Sequence, residues 1–285
     1  IDDAVVEEIT RIIPLSPLHN PGHLEGIRVA RKLFNKATHV AVFDTAFHQT
    51  MPPKAFRYAI PNEYYEKYGI RSYGFHGTSH KFVDAEARKY LNNPHIKNIT
   101  IHLGNGASMA AVNQNGQCID TSMGLTPLDG LIMGTRCGQI DASVAFFLGQ
   151  ELGLSFEEVK TIFNKKSGML GLTGYSDARD VAAKYHAGDA NAQLCYEMYG
   201  YRIQKFIGAY TAALNGVDSI VFTAGLGEHD TLTRSFACKE MEFFGIKLDE
   251  KKNEELNHTT KPVEIQAADS RVKILIIPTN EEWQI

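Results

Sequence analysis

The chain has 285 residues, 44% of them hydrophobic and 22% charged, with a formal net charge of -4. That length fits one large or two ordinary domains, and a pI near 6.3 lacks the basic excess of a nucleic-acid surface. No apolar run approaches the roughly 18 residues of a membrane-spanning helix. Cys118, Cys137, Cys195 and Cys238 lie far apart without a C-x-x-C pair, which suits free thiols in a reducing compartment. No basic and apolar leader opens the chain. It begins instead at Ile1 in an acidic, helix-like stretch, a plausible interior of a protein. A cytoplasmic enzyme fragment, with neither nucleic acid nor membrane as partner, is the expectation from composition.

In chain order, Val5 to Ile13 reads as a helix ended by Pro14 and Pro17. Leu24, Ile27, Ala30 and Phe34 then recur at helical spacing after a turn at Asn20-Pro21-Gly22. His39 to Asp44 reads as a short strand closing on an acid, the place where α/β proteins put functional residues. Residues 48–97 are aromatic and proline-punctuated apart from a helix over Ser79 to Leu91. Ile99 to His102 and Met109 to Val112 read as strands joined through Gly104-Asn105-Gly106, with a third strand after the Asn115-Gly116 turn.

Ser155 and Glu158 form a capping box for a helix running to about Lys165. A long helix spans about Asp189 to Leu214, with Cys195, Met198, Arg202/Ile203, Phe206 and Tyr210 near one face, and stops at Asn215-Gly216. Ser219 to Thr223 is a strand running into Ala224-Gly225-Leu226-Gly227-Glu228 with a helix after it, and Val272 to Ile277 is a last strand ending in Pro278-Thr279-Asn280-Glu281. This succession is an α/β domain, and element order alone leaves several folds open.

Three glycine-containing turns are candidate phosphate cradles. Gly104 to Gly106 joins two strands, Gly225 to Gly227 lies between a strand and a helix, and Gly134-Thr135-Arg136-Cys137-Gly138 holds a guanidinium between glycines. Backbone N–H groups free of Cβ atoms suit an anion, yet each turn alone reads more readily as an ordinary tight turn. Neither a Walker lysine motif nor G-x-G-x-x-G is present. His76 and His80 have the i, i+4 spacing of a zinc pair, but Gly77 and Thr78-Ser79 start a helix after His76, and no glutamate adjoins His76. A helix-capping or polar-site role is favoured over catalytic zinc. The absence of G-x-S-x-G weakens a hydrolase reading.

Eight segments in order carry a resemblance. They are Pro17 to Pro21, Phe43 to His48, Tyr73 to His80, His102 to Ser108, Asp120 to Gly124, Gly134 to Arg136, Thr223 to Glu228 and Pro278 to Glu282. Together they resemble the successive motifs of the acetate kinase family (acetate and propionate kinases, within the sugar-kinase and actin superfamily). Phe43 to His48 and Phe75 to His80 are highly specific; the glycine turns are so only by their order.

The resemblance implies an α/β ribonuclease H-like, actin-like ATPase fold with a duplicated βββαβαβα core whose first domain is only partly present. Residues 1–47 would be the remainder of the N-terminal domain and 48–285 the C-terminal nucleotide-binding domain. It implies a reversible reaction in which ATP and acetate give ADP and acetyl phosphate with Mg²⁺ or Mn²⁺, in a cytoplasmic homodimer. Propionate kinase is the neighbouring alternative, and a nucleotide-binding fragment without catalysis the alternative from another class.

The same resemblance assigns roles. Asp44 would orient the acetate carboxylate or the metal, His76 and Arg136 would stabilise the transferring phosphoryl group, and His19 would support them. His102, Leu103, Gly104, Asn105 and Gly106 would cradle the nucleotide phosphates. Asp177, Ala178 and Arg179, with Gly225, Leu226, Gly227, Glu228 and His229, would hold the nucleoside end, and Glu281 would help place magnesium. Taken without the resemblance, Asp44 reads as a strand-end cap, Arg136 as a surface arginine, His19 as a turn residue and Glu281 as a helix N-terminal acid.

Family members also carry a glycine/serine-rich phosphate hairpin with a magnesium-site asparagine, and an arginine in an Arg-Val-Val-His-Gly-Gly-like stretch. These 285 residues contain neither, so the front of the first domain and a short C-terminal tail are expected to be missing. Gln139 and Ala142 stand where the family usually has Asp and Pro, Ala178 replaces a larger apolar residue, and His229 replaces Asn.

Overall fold

The computed structural model describes residues 1–13, 20–256 and 258–285, which group into two compact units, 1–43 and 44–285. In the first unit, helix α1 (Asp3–Arg11) packs on α2 (Asn20–Leu33), burying Ile9 and Leu24. The Asp2 side chain caps α1 by accepting the Val5 N–H at 3.0 Å. The strand expected over His39 to Asp44 has no ladder partner among the described residues, and Val40, Val42 and Phe43 are exposed. Alternation is only a preference; a strand exists through the hydrogen bonds of a neighbour.

The second unit opens with a 3-10 turn (Ala46–Thr50) and short helices α3 (Pro53–Phe56) and α4 (Asn62–Tyr68), followed by α5 (Gly77–Tyr90). Strands β1 (Asn98–Leu103), β2 (Ala107–Val112) and β3 (Cys118–Thr121) form the expected meander. Helices α6 (Ser143–Glu151), α7 (Phe156–Lys165), α8 (Gly168–Thr173), α9 (Ala178–His186) and α10 (Ala190–Leu214) follow. Then come β4 (Ser219–Thr223), α11 (Ala224–His229), α12 (Thr231–Cys238), α13 (Glu250–Glu255), β5 (Val263–Glu264), β6 (Lys273–Ile276) and α14 (Glu281–Gln284).

Among the described residues, six strands make one sheet in the order β3-β2-β1-β4-β6-β5. β1, β4 and β6 are parallel neighbours, and β2, β3 and β5 pair antiparallel. A βββ meander leading into parallel strands is the arrangement implied for one ribonuclease H-like core. Both sheet faces are covered, as a largely parallel centre requires. Ile99, Ile101, Ile220, Phe222, Ile274 and Ile276 pack with α10, while Val221, Leu275 and Ile277 pack with Val83 and Ala87 of α5.

Period-two alternation along Ile99-Thr100-Ile101-His102-Leu103 thus separates an apolar side from a polar one. Thr100 and His102, with Ser108 from β2, meet α5 through His80 and Ser79. At the other end of α5, Arg88 pairs with Asp84 at 2.8 Å, Asp84 accepts from Asn98 Nδ2 at 3.0 Å, and Asn98 accepts from Ser219 Oγ at 2.8 Å. This buried track fixes α5 against the starts of β1 and β4.

The capping box at Ser155 and Glu158 is present on α7. Helix α10 begins after Asp189 and stops at Asn215, whose φ of 52° is left-handed. Its buried face is rotated from the expected one: Tyr196, Tyr199 and Ile207 join Cys195, Ile203 and Tyr210, while Met198 is exposed. The four cysteines are free thiols.

Arg234 of α12 is fully buried. Its Nε donates to Asn253 Oδ1 at 2.6 Å and its Nη1 to the Gly227 carbonyl at 3.0 Å. Burial holds its pKa down to about 10. Removing the Asn253 acceptor strands a buried guanidinium N–H, so Asn253→Ala is expected to cost about 2–3 kcal/mol in urea unfolding. A loss below the error of the titration would show that the Arg234 bond adds nothing to stability.

Candidate functional site

The parallel strands β1, β4 and β6 end on one edge of the sheet, where open α/β sheets place their ligands. β1 turns through Gly104 to Gly106, with the Gly104 N–H donating to the Gly106 carbonyl at 3.0 Å. A Cβ added to Gly106 would sit 3.4 Å from His76 Nε2 and 3.5 Å from Arg136 Nη1. Glycine therefore leaves a gap with an imidazole nitrogen and a guanidinium on its border.

His76 precedes α5 in the left-handed conformation, φ 56°. Two bonds from Asp44 hold this turn: Oδ2 accepts the His76 N–H at 2.7 Å, and the Asp44 carbonyl accepts the Gly77 N–H at 2.9 Å. A Cβ on Gly77 would collide with that carbonyl. The His76 ring stacks on His102, centroids 4.2 Å apart and 16° from parallel. Its Nδ1 lies 2.8 Å from Ser108 Oγ, and Ser108 Oγ also lies 2.8 Å from His80 Nε2. The facing nitrogens of the His76 and His80 pair are thus spent on a hydroxyl rather than arranged as a zinc pair.

Arg136 is placed by its loop. The Met133 N–H donates to the Arg136 carbonyl at 3.1 Å, and the Cys137 N–H to the Phe163 carbonyl at 3.0 Å. Gly138 has φ 68°, and a Cβ there would run into the Leu131 carbonyl. The half-buried guanidinium donates Nη1 to the Pro127 carbonyl at 2.9 Å. Glu281 opens α14; burial, then the Asp44 charge, raises its pKa, so these two carboxyls share one neighbourhood.

The nucleotide candidates divide. Gly225, Leu226 and Gly227 lie inside α11 rather than in a turn before it, because Ala224 itself takes the left-handed step at φ 64°. Glu228 is occupied within the fold: its Oε1 accepts from Ala224 N at 2.8 Å and Thr279 N at 3.1 Å, tying α11 to the segment after β6. Leu103 is fully buried in the core, so only its backbone can serve a ligand. Asp177 caps α9 and pairs with Arg179 at 2.6 Å, while Ala178 packs against the core. That segment adjoins the turn, since a Cβ on Gly134 would lie 2.6 Å from Asn105 Oδ1 and 3.1 Å from the Ser176 carbonyl. His229 stacks on His258 with centroids 5.4 Å apart. His19 lies outside the described residues.

Hydroxyls are the functional groups that sequence reasoning missed. Ser79 Oγ lies 2.8 Å from His102 Nδ1 and 2.9 Å from Thr279 Oγ1, and Ser108 joins His76 to His80. All three sit within the quoted motifs, but only the strand register shows what they touch. Buried His48 was also given no role; its Nε2 donates to the Phe75 carbonyl at 2.9 Å.

The sequence profile of the acetokinase family matches residues 1–285. The acetate kinase of Thermotoga maritima is 53% identical over 289 aligned residues, covering 100% of this chain and 71% of the relative. The crystal structure of Porphyromonas gingivalis acetate kinase superposes with a TM-score of 0.93 at 44% identity, covering 100% of this chain and 71% of that one. A propionate kinase from Francisella tularensis superposes with a TM-score of 0.94 at 44% identity, covering 100% and 72%.

The site histidines are held neutral. Burial pushes His76 down to about 4, against the opposing pull of Asp44, and His102 down to about 3; it also lowers His48 and His80. Between these values and the unfolded value near 6.5, the unfolded chain binds protons that the folded chain refuses, so stability rises with pH across that window. Asp120, raised by burial to about 6, and Glu281 act in the opposite sense, and the four histidines outnumber them. Urea midpoints are therefore expected to fall as pH drops from 6.5 towards 4.5, with net proton uptake on unfolding. A flat midpoint over that range would mean the histidines are not held neutral.

Proposed function

Because the chain belongs to the acetokinase family, a family of phosphotransferases, we propose that its reaction is the reversible transfer of the γ-phosphoryl group of ATP to acetate. An ionised carboxylate oxygen forms the new bond to phosphorus, the bond from phosphorus to the β–γ bridging oxygen breaks, and ADP departs with that electron pair. No proton has to move, so no general base is required. The observation that carries this reading is the approach of His76 Nε2 and Arg136 Nη1 to the same side-chain-free position at Gly106.

A phosphoryl group in transfer spreads charge over three equatorial oxygens, and catalysis is mostly positioning and electrostatics. Arg136 offers a rigid fork of donors to those oxygens, and His76 offers its Nε2. The backbone of His102 to Gly106 would take the phosphates, with Asp177 to Arg179 and Gly225 to His229 at the nucleoside end. Asp44 and Glu281 fit a magnesium ion: their hard oxygen donors suit it, and the mutual repulsion that helps raise Glu281 is what a cation relieves. When bound, the ion would neutralise phosphate charge.

The same reading makes the enzyme a cytoplasmic homodimer. Among the described residues no helix is long and apolar enough to cross a membrane, and the exposed Phe146, Phe147 and Phe156 supply apolar surface for a partner subunit. Propionate is the second substrate reading, supported by the propionate kinase neighbour. One methylene is worth only about 1–3 kcal/mol, so kcat/KM for the two acids decides between them.

In the full-length protein, ATP, magnesium, acetate and hydroxylamine are expected to yield acetohydroxamate. Lack of product would overturn the acetate reading, and ADP binding without turnover would favour a nucleotide-binding role. Arg136→Ala is expected to lower kcat by about 10³-fold or more with KM values changed only a few-fold. A KM-only effect would remove Arg136 from the transition state.

A further inference from the structure

One polar track behind the site has a direction that can be worked out. Thr100 in β1, His80 in α5 and Ser108 in β2 are all fully buried. Thr100 Oγ1 lies 2.7 Å from His80 Nδ1, His80 Nε2 lies 2.8 Å from Ser108 Oγ, and Ser108 Oγ lies 2.8 Å from His76 Nδ1. Each hydroxyl has one hydrogen to give, and a neutral imidazole has one N–H and one bare nitrogen. Ser108 Oγ could also accept from both rings, but its own hydrogen would then be buried with no acceptor among the described residues. The chain therefore runs in one of two ways, towards His76 or away from it.

Thr100 decides which. Among the described residues, its hydroxyl is hydrogen-bonded only to His80 Nδ1. If His80 donated to Thr100, the threonine hydrogen would be buried with nothing to accept it, and an orphaned buried donor bears its full desolvation cost. With Thr100 donating, every hydrogen along the track has an acceptor.

We infer that Thr100 is a positioning residue that sets the tautomer of His76. Thr100 O–H donates to His80 Nδ1, His80 Nε2–H to Ser108 Oγ, and Ser108 O–H to His76 Nδ1, which leaves the His76 proton on Nε2 beside the Gly106 gap. The site then offers an anionic group an N–H donor instead of a lone pair. The charged and titratable groups acting on His76 are Asp44, Arg136, His48 and the stacked His102. Three hydrogen-bonded residues, His80, Ser108 and His76, separate Thr100 from the gap. The catalytic consequence rests on His76 being a donor to the transferring phosphoryl group, whereas the tautomer can be read whether or not that holds.

The experiment is a long-range ¹H–¹⁵N histidine spectrum of the ¹⁵N-labelled full-length protein at neutral pH, with the His76 signals assigned by their loss in His76→Gln. The expected pattern is Nε2–H. An Nδ1–H or imidazolium pattern for His76 overturns the proposal without any variant being needed. Thr100→Val keeps the side-chain shape and removes the hydroxyl. It is expected to shift His76 towards the other tautomer and lower kcat about tenfold, with KM for ATP and acetate within about twofold. Thr100→Ser restores both spectrum and kcat. A Thr100→Val protein with the wild-type spectrum overturns the relay. A shifted tautomer with wild-type kcat keeps the relay and instead overturns the donor role of His76.

Discussion

Two hydrogen bonds from one residue hold the site in place. Asp44 accepts the His76 N–H through its carboxylate and the Gly77 N–H through its carbonyl. Together they keep His76 in a left-handed conformation that L-residues rarely adopt. That turn throws the imidazole across to β1, where it stacks on His102 and reaches the space beside Gly106. Without the turn, α5 would still pack on the sheet through Val83 and Ala87, but its first residues would carry no ring into the strand ends.

The same logic recurs in the supports. Arg136, Arg234 and His48 each spend a donor on a backbone carbonyl, so side chains fix the path of the loops at the strand ends. Glu228 does the converse, accepting backbone N–H groups from both β4 and β6 exits. Glycine at 77, 106, 134 and 138 stands wherever a Cβ would meet a neighbouring carbonyl, amide or functional side chain. Backbone held in this way carries the His76 and Arg136 side chains that border the gap.

Much of this was legible in the residues. The alternation of Ile99 to Leu103, the capping box at Ser155, the stop at Asn215-Gly216 and the ordered motifs all have local causes. What escaped has non-local causes. His39 to Asp44 has a strand's pattern but needs a neighbour to make a ladder. Ala224 takes a left-handed step that sequence assigns to glycine, which moved Gly225 to Gly227 into a helix. The rotated face of α10 is set by the sheet it covers. Ser79, Ser108 and Arg234 look like surface residues until strand register and helix packing bury them, and Thr279 shows its partner only where Ser79 meets it.

The bond between Ser79 and Thr279 joins residues 200 apart in the chain, and β1 pairs with β4 across more than a hundred residues. The β1–β2 hairpin, by contrast, closes through a three-residue turn. Contacts of long sequence separation carry the larger closure entropy and form slowly. The strand ends at Gly104, Thr223 and Thr279 therefore come together late, after the hairpin has formed. A folding intermediate of this domain would contain the His102 to Ser108 hairpin long before it could bind a nucleotide, and recovery of ligand binding would lag recovery of strand structure during refolding.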